Sequence, residues 1–400
     1  MGFALPISVS GALLWIGPVM AQERTIASYV LAPARVYDGS SGFEPDDPRS
    51  FSIAVPEGNW RVSLTIGNAA HAATTTVKAE ARRLMIDRLK TRKGEFVERN
   101  FVVNVRMRSL TAPPANAPGG AKVALKSSEE GSRTWDDRLT LDFSDPADVR
   151  RITLEQADVP TIYLVGDSTV TDQRYEPAAS WGQMLPAFAG SGVAVANHAE
   201  SGETLKSFLA ELRLAKVLST VREGDYLFIQ FGHNDQKSQW PQTYVDPRYA
   251  YPAYLRTYIA EARARKAIPV LVTPPERRNF EADGSVRETL TEYADAMRSV
   301  AERDNVPLID LNAFSRTLYS ELGEEQAALL FNDGGKDRTH HDNAGAWLLA
   351  RFVAAEARTG VPGLRSAIEP VAAGSPEENY RRALGIVASS ASSTVRPEGN

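Results

Sequence analysis

The chain has 400 residues, of which 43% are hydrophobic, and its formal net charge at pH 7 is −5. This length and apolar content allow a large buried core and roughly two or three domains. Basic residues occur only in short clusters such as Arg82-Arg83 and Arg277-Arg278, so nothing indicates nucleic-acid binding. The chain has no cysteine, which excludes disulfides, thiolate metal sites, a cysteine nucleophile and a lipid-modified N-terminal cysteine.

The N-terminal segment 1–21 is predicted to be a signal peptide. It is almost entirely apolar or small and ends in Val19-Met20-Ala21, a pattern typical of a secretory cleavage site. No positive charge precedes the apolar stretch, and Pro6 and Pro18 interrupt it, so an uncleaved anchor and a buried segment stay open as alternatives. We interpret the segment as a cleaved export signal, which predicts a secreted or periplasmic protein without a stable membrane anchor.

Residues 28–158 are predicted to form an all-β sandwich of jelly-roll type. Apolar and polar residues alternate over 51–56 and again over 60–66, with a turn between them, which predicts a hairpin with one buried face. Further short strands are predicted at 74–78, 83–86, 101–106 and 139–143. No chemistry is visible here, and the aromatic residues fit a core better than a sugar-binding platform; they are Phe51, Trp60, Phe101 and Trp135. We therefore expect an accessory domain.

From residue 159 strands alternate with helices, so residues 159–362 are predicted to form an α/β domain. The strands are 162–165, 193–197, 226–231, 268–273 and 306–310, and the helices are 204–217, 251–266, 287–303 and 343–357. Strands joined by single crossover helices form a parallel sheet with helices on both faces. Residues 371–400 are rich in small residues, Ser and Pro, which predicts a weakly ordered tail with one short helix at 377–387.

Polar residues follow the carboxyl ends of the predicted strands. Gly166-Asp167-Ser168 comes directly after the first strand, and Gly202 lies in the turn after the second. Gly232-His233-Asn234-Asp235 follows the third strand, and a loop past the fifth holds Asp337-Arg338-Thr339-His340-His341. Ligands bind outside the carboxyl ends of parallel strands, so we expect these stretches to share one site.

These stretches contain the parts of a serine hydrolase. Ser168 can act as the nucleophile and His340 as its base, and Asp337, three residues earlier, can orient the imidazole. The backbone N–H groups of Ser168 and Gly202 and the side-chain amide of Asn234 can form an oxyanion hole. Taken alone, Gly166-Asp167-Ser168 could be a polar turn with no catalytic role. The presence of a base, an orienting acid and oxyanion donors at the other strand ends favours catalysis.

Some assignments within this site stay open. His341 is the rival of His340 as the base, although only His340 has the three-residue separation from Asp337 and His341 is better placed to start the next helix. His233 is either a hydrogen-bonded turn residue or a substrate contact. Asp167 and Asp235 are expected to buttress their turns. The candidates for substrate binding are His233, Gln236, Lys237 and Arg277.

The four stretches, in this order and at these strand ends, resemble the signature blocks of the SGNH (GDSL-type) hydrolases. More narrowly, several stretches look like the rhamnogalacturonan acetylesterases; they are VGDSTV (165–170), WGQML (181–185), NHAESG (197–202), KSF (206–208), FIQFGHND (228–235), PVLVTP (269–274) and VPLIDLN (306–312). The resemblance covers about residues 160 to 360. It implies a flavodoxin-like three-layer α/β/α sandwich, the same site roles for Ser168, His340, Asp337, Gly202 and Asn234, no metal and no cofactor.

The leading hypothesis is a serine carbohydrate esterase that removes acetyl groups from a plant cell-wall polysaccharide, with the pectin rhamnogalacturonan first. Acetyl-xylan deacetylation and a general GDSL lipase or thioesterase are the alternatives within the same fold. A glycan-binding protein with a decayed hydrolase domain is the non-enzymatic alternative, but such a protein should have lost one of Ser168, Asn234, Asp337 or His340. The expected partner is an acetylated polysaccharide or oligosaccharide, and the sequence does not predict the oligomeric state.

Overall fold

The computed structural model describes residues 26–31, 35–110 and 119–397, and an antiparallel sandwich precedes an α/β part in the chain. The signal-like segment 1–21 lies outside these residues. No helix within the described ranges combines the length and the apolar character that crossing a bilayer requires. The last sandwich strand ends at Gln156, and the first parallel strand begins at Thr161.

The sandwich consists of two antiparallel sheets with strand orders β1-β9-β4-β7 and β2-β3-β8-β5-β6. If the edge strand β2 is left out and the other eight strands are renumbered 1 to 8 in chain order, the two sheets have the strand orders 1-8-3-6 and 2-7-4-5. This is the arrangement of a jelly roll. Apolar side chains from both sheets form one core between them. The strands are β1 (Ile26–Val30), β2 (Ser41–Glu44), β3 (Asp47–Ala54), β4 (Gly58–Ile66), β5 (Ala73–Ala79), β6 (Arg83–Thr91), β7 (Val97–Val105), β8 (Arg138–Phe143) and β9 (Val149–Gln156).

The predicted hairpin between 51–56 and 60–66 is wrong. β3 pairs with β2 and β8, whereas β4 pairs with β7 and β9 in the facing sheet. The alternation itself was read correctly, because Phe51 and Ile53 of β3 and Val62 and Leu64 of β4 are buried in the same core. A strand in either of two facing sheets buries one of its faces, as does a strand of a hairpin. The alternating pattern therefore does not distinguish the two arrangements.

The α/β part contains a five-stranded parallel sheet in the order β11-β10-β12-β13-β14. If these five strands are renumbered 1 to 5 in chain order, the order is 2-1-3-4-5, which is that of the flavodoxin-like fold. The predicted fold class is therefore confirmed. The strands are β10 (Thr161–Gly166), β11 (Ala194–Asn197), β12 (Tyr226–Gln230), β13 (Ile268–Val272) and β14 (Leu308–Ile309). The helices are α1 (Trp181–Met184), α2 (Leu205–Ala210), α3 (Arg213–Leu218), α4 (Ala250–Ala264), α5 (Thr291–Asp304), α6 (Leu311–Ala328), α7 (Asn343–Gly360) and α8 (Pro376–Leu384).

Helices cover both faces of the parallel sheet. Ile162 and Leu164 of β10 belong to the core that contains α1, α6 and α7, whereas Tyr163 and Val165 belong to the core under α2, α3, α4 and α5. Successive side chains of a strand point to opposite faces, so a strand buried on both sides is a continuous apolar run. Because the strands are parallel, their carboxyl ends meet at one edge of the sheet, where a site is expected.

The helices differ from the predicted ones at two places. The segment 204–217 forms two helices, because Leu212 adopts a left-handed conformation with φ 61° between α2 and α3. Helix α6 was not predicted: its buried face includes the polar residues Asn312 and Ser315, which interrupt the apolar periodicity. In the tail, helix α8 overlaps the short helix predicted at 377–387, and Ala383 and Ile386 are buried in the α1/α6/α7 core.

Candidate active site

Ser168, His340 and Asp337 form a continuous hydrogen-bonded chain. Ser168 Oγ lies 2.8 Å from His340 Nε2, and His340 Nδ1 lies 2.8 Å from Asp337 Oδ2. All three residues are buried, so water does not compete for these hydrogen bonds. β10 ends directly before Asp167 and places the serine at the carboxyl edge of the sheet, where the loop before α7 delivers the other two side chains.

The surroundings of Asp337 favour its ionised form. Burial acts to raise the pKa of Asp337, but its hydrogen bonds with His340 outweigh burial and hold the pKa below its usual range. Its Oδ1 accepts the backbone N–H groups of Thr339 at 2.9 Å and of His340 at 3.0 Å. An ionised carboxylate can only accept, so His340 Nδ1 carries the proton and Nε2 is free to accept the hydroxyl proton of Ser168.

His341 is directed away from Ser168. Its Nε2 lies 2.7 Å from the Tyr319 hydroxyl, and its ring packs on Phe331 with the ring centroids 4.4 Å apart. Burial lowers the pKa of His341 to about 3, which keeps the ring neutral. Asp342, the next residue, caps α7 by accepting the N–H groups of Ala344 and Gly345. Of the two rival histidines, only His340 contacts the serine.

Gly202 and Asn234 lie on neighbouring loops that are linked by a hydrogen bond. Asn234 Nδ2 donates to the carbonyl oxygen of Glu203 at 3.0 Å, and Lys237 Nζ donates to Asn234 Oδ1 at 3.0 Å. The ammonium group therefore fixes the orientation of the asparagine amide, with its oxygen toward the lysine. Gly202 has φ +80°, a conformation that side-chain-bearing residues rarely adopt.

His233 and its neighbouring carboxylates stabilise the loops around Ser168. His233 Nδ1 lies 3.2 Å from Asp167 Oδ2 and its Nε2 lies 2.9 Å from the Pro275 carbonyl oxygen, so both ring nitrogens are engaged inside the protein. Burial lowers the pKa of His233. Asp235 accepts the backbone N–H groups of Leu205 and Gly232. This geometry favours the turn-residue alternative for His233 over a substrate contact.

The other three candidates for substrate binding lie at the rim of the site. When the Gln236 side-chain amide is oriented so that its nitrogen and its oxygen both form hydrogen bonds, it donates to the Thr289 carbonyl at 2.9 Å and accepts from Arg277 at 3.0 Å. Lys237 is half-buried, and burial together with the charge of Arg277 lowers its pKa to about 8. The Lys237 ammonium also lies 4.8 Å from the ring centroid of Trp240, whose exposed fraction is 39%.

Three contributors to the site were missed by sequence reasoning. Asn332 Nδ2 donates to Asp337 Oδ2 at 3.3 Å, and Gln173 Nε2 donates to the Ser168 carbonyl at 2.7 Å. Lys126, from the loop between β7 and β8, forms an ion pair with Glu203 at 2.7 Å. Asn332 and Gln173 lie near the recognised blocks and could have been suspected, whereas no sequence signal connects Lys126 with a turn about 75 residues away.

The chain is similar to known ester hydrolases. Residues 164–348 match the model of the GDSL-like Lipase/Acylhydrolase family. The rhamnogalacturonan acetylesterase RhgT of Bacillus subtilis (strain 168) is 39% identical over 206 residues, which cover 48% of this chain and 87% of that protein. The uncharacterized esterase YxiM of the same organism is 27% identical over 322 residues, covering 78% of this chain and 75% of YxiM.

The crystal structure of YxiM is also similar, with a TM-score of 0.49 and 25% identity, covering 81% of this chain and 84% of that one. The family match ends at residue 348, beyond Asp337 and His340. The chain therefore belongs to the GDSL-like lipase/acylhydrolase (SGNH hydrolase) family, and it is a carboxylic ester hydrolase similar to the rhamnogalacturonan acetylesterases.

Proposed function

We propose that this hydrolase removes acetyl groups from an acetylated pectin, rhamnogalacturonan first, through a Ser168–His340–Asp337 triad. The observation that supports the proposal is the buried chain from Ser168 Oγ through both nitrogens of His340 to Asp337, with 2.8 Å at each step. Such a chain activates a hydroxyl that is a weak nucleophile at its ordinary pKa. The acetyl group and the pectin come from the similarity to RhgT.

The reaction has two halves. Ser168 Oγ attacks the acetyl carbonyl carbon while His340 Nε2 takes the hydroxyl proton, and Asp337 stabilises the imidazolium that results. The N–H groups of Ser168 and Gly202 and the amide of Asn234 stabilise the tetrahedral oxyanion. The sugar oxygen leaves with the proton from His340, and an acetyl-serine remains. Water then attacks this ester with His340 again as the base, which releases acetate and restores Ser168.

The rim of the site suits a sugar chain that contains uronic acids. Trp240 offers an exposed ring on which a sugar can stack, and it lies beside Lys237. Lys206 Nζ donates to the Pro241 carbonyl at 3.3 Å, so a second ammonium group lies at the same rim. Among the described residues the hydrogen bonds of Lys237 and Lys206 go to the uncharged oxygens of Asn234 and Pro241, so both positive charges can attract galacturonate carboxylates. A polysaccharide outside the cell also fits the export signal predicted at 1–21.

The test is acetate release by the wild type and by two triad variants. Ser168→Ala and His340→Ala should each lower kcat by at least about 10³-fold with 4-nitrophenyl acetate while the melting temperature changes little. His341→Gln serves as the control and should retain most of the activity. If His340→Ala were active and His341→Gln inactive, the assignment of the base would be wrong.

The substrate is tested separately with a panel of acetylated rhamnogalacturonan, acetylated homogalacturonan and acetyl-xylan. We expect the highest kcat/KM on rhamnogalacturonan and a decline of this value with rising salt, because salt screens the attraction between the two lysines and the uronates. Trp240→Ala should raise KM on the polymer and leave 4-nitrophenyl acetate turnover unchanged. A preference for acetyl-xylan without salt dependence would contradict the pectin assignment.

A further inference from the structure

A segment of the β-sandwich reaches the turn that contains Gly202. Residues 106–137 lie between β7 and β8, and we name the part that leads into β8, residues 121–137, the bridging segment. The Arg133 guanidinium donates to the Ser50 hydroxyl of β3 at 3.0 Å, which anchors the segment to the sandwich. The Ala124 N–H donates to the Glu211 carbonyl at 3.1 Å, and Arg213 donates to the Ala124 carbonyl at 3.1 Å. The segment is thus attached to both parts of the molecule.

Lys126 of the bridging segment contacts the residues on both sides of Gly202. Its ammonium forms an ion pair with Glu203 Oε1 at 2.7 Å and donates to the carbonyl oxygen of Ser201. A Cβ atom placed on Gly202 would stand 3.1 Å from Lys126 Nζ, so the lysine lies directly against the turn. One side chain of the sandwich therefore holds the backbone that orients the Gly202 N–H.

Buried charges fix the position of Lys126. The Lys126 N–H donates to Glu129 Oε2 at 2.8 Å, and the same carboxylate pairs with Arg213 at 2.6 Å. Arg213 Nε lies 3.4 Å from Glu203 Oε1, so Lys126 and Arg213 share one buried carboxylate. Buried carboxylates are stable as ions only when they are paired, so each member of this network restricts the others.

The same turn also controls the second oxyanion donor. The carbonyl oxygen of Glu203 accepts the Asn234 side-chain amide at 3.0 Å. A shift of the Ser201–Glu203 backbone would therefore move the Gly202 N–H and the Asn234 amide together. Such donors act on a transition state only when they are aimed in advance at the developing negative oxygen.

We propose that Lys126 is a positioning residue of the sandwich that holds two of the oxyanion donors, the Gly202 N–H and the Asn234 amide, in place, so that the β-sandwich completes the catalytic centre. This inference rests on the proposed function, because it presupposes that Gly202 and Asn234 stabilise the oxyanion of a Ser168 adduct. The sequence predicts an accessory domain, whereas the contacts of Lys126 assign this domain a direct part in the organisation of the site.

The first test compares Lys126→Met with Lys122→Met, an exposed lysine four residues earlier in the same segment. Lys126→Met should lower kcat on 4-nitrophenyl acetate by about 10- to 100-fold with KM little changed, because small misplacements of catalytic donors cost about this much. Lys122→Met should match the wild type in kcat, KM and melting temperature. Lys126→Arg should recover part of the loss, since it restores a cation beside Glu203.

The second test uses the absence of cysteine from the chain. Lys126→Cys introduces a single thiol, which 2-bromoethylamine converts into a lysine analogue and iodoacetamide converts into a neutral side chain. We expect kcat to rise only after aminoethylation. Equal recovery with both reagents, or a wild-type kcat for Lys126→Met, would overturn the inference. Ser168→Ala tests the proposed function independently, because full activity of that variant would refute the triad whatever the Lys126 variants do.

Discussion

Asn234 is held at both ends of its side-chain amide. Lys237 donates to its oxygen and the Glu203 carbonyl accepts from its nitrogen, each at 3.0 Å. A neutral amide with two fixed partners keeps one orientation, in which one Nδ2 hydrogen is used on the Glu203 carbonyl. We propose that the other Nδ2 hydrogen and the Gly202 N–H serve the oxyanion. The negative charge that they are proposed to stabilise develops only in the tetrahedral intermediate. Asn234 should therefore act on the transition state and hardly on ground-state binding.

Asn234→Ala should lower kcat by about 10²–10³-fold with KM little changed, as for other lost oxyanion donors. Asn234→Asp should be at least as damaging, because a carboxylate offers no donor and repels the oxyanion. Steady-state kinetics and a thermal melt of both variants provide the check. If the aspartate variant were largely active and the alanine variant mainly less stable, Asn234 would serve only to hold its turn.

The start of α7 positions His340. Asp342 caps the helix, the His341 carbonyl accepts the Ala179 N–H at 2.8 Å, and the His340 carbonyl accepts the Asn332 N–H at 2.9 Å. The two histidines thus lie on a short extended segment that is attached on both sides before the helix begins. Gly345, in the first turn, permits a close approach: a Cβ there would lie 2.2 Å from the Leu330 carbonyl and 2.6 Å from His341 Cδ2.

Gly345→Ala should destabilise the protein by about 1–3 kcal/mol, as overpacking of a tight site does, and should also lower kcat because His341 is displaced next to His340. Gly360→Ala is the matched control, since it is the same change at the other end of α7 where a Cβ meets nothing within 4 Å. Thermal melts and kinetics of the two variants measure the difference. Equal behaviour of both would show that the start of α7 tolerates the extra methyl group.

The two parts of the molecule meet through buried ion pairs. Arg83 of β6 pairs with Asp172 at 2.6 Å, four residues beyond Ser168, and Arg82 pairs with Glu176 at 2.7 Å. Asp172 Oδ1 also accepts the Asn197 side-chain amide at 2.8 Å. Separation of the sandwich from the α/β part would leave these carboxylates without their cations. We therefore expect both parts to unfold in one cooperative transition.

Arg83→Met should destabilise the whole molecule by about 3–5 kcal/mol, because removal of one partner leaves the Asp172 carboxylate buried and unpaired. The double variant Arg83→Met with Asp172→Asn should recover part of the loss. Arg99→Met, at an exposed arginine of the same sandwich, should leave the melting temperature unchanged. Two separate calorimetric transitions in the wild type would contradict a single cooperative unit.

Much of the fold and of the site was accessible from local patterns. The apolar stretch that forms β10 and the three-residue separation of Asp337 from His340 are both visible in short stretches of sequence. Because the carboxyl ends of parallel strands meet at one edge of the sheet, residues that follow different strands come together there. Sequence alone thus determined the α/β class and the candidates Ser168, Gly202, Asn234, Asp337 and His340. Hydrophobic alternation also indicated the sandwich, because burial on one face imposes a two-residue period on any strand.

The tertiary structure decided the features that depend on distant partners. The alternation in β3 and β4 is the same for a hairpin and for strands in facing sheets, so only the partners β8 and β7 distinguish them. The orientation of His341 toward Tyr319 likewise depends on a helix whose pattern is interrupted by polar residues. The ion pair between Lys126 and Glu203 has no local signature at all. Long-range charge pairs form because burial makes unpaired ions costly, and burial is a property of the assembled fold.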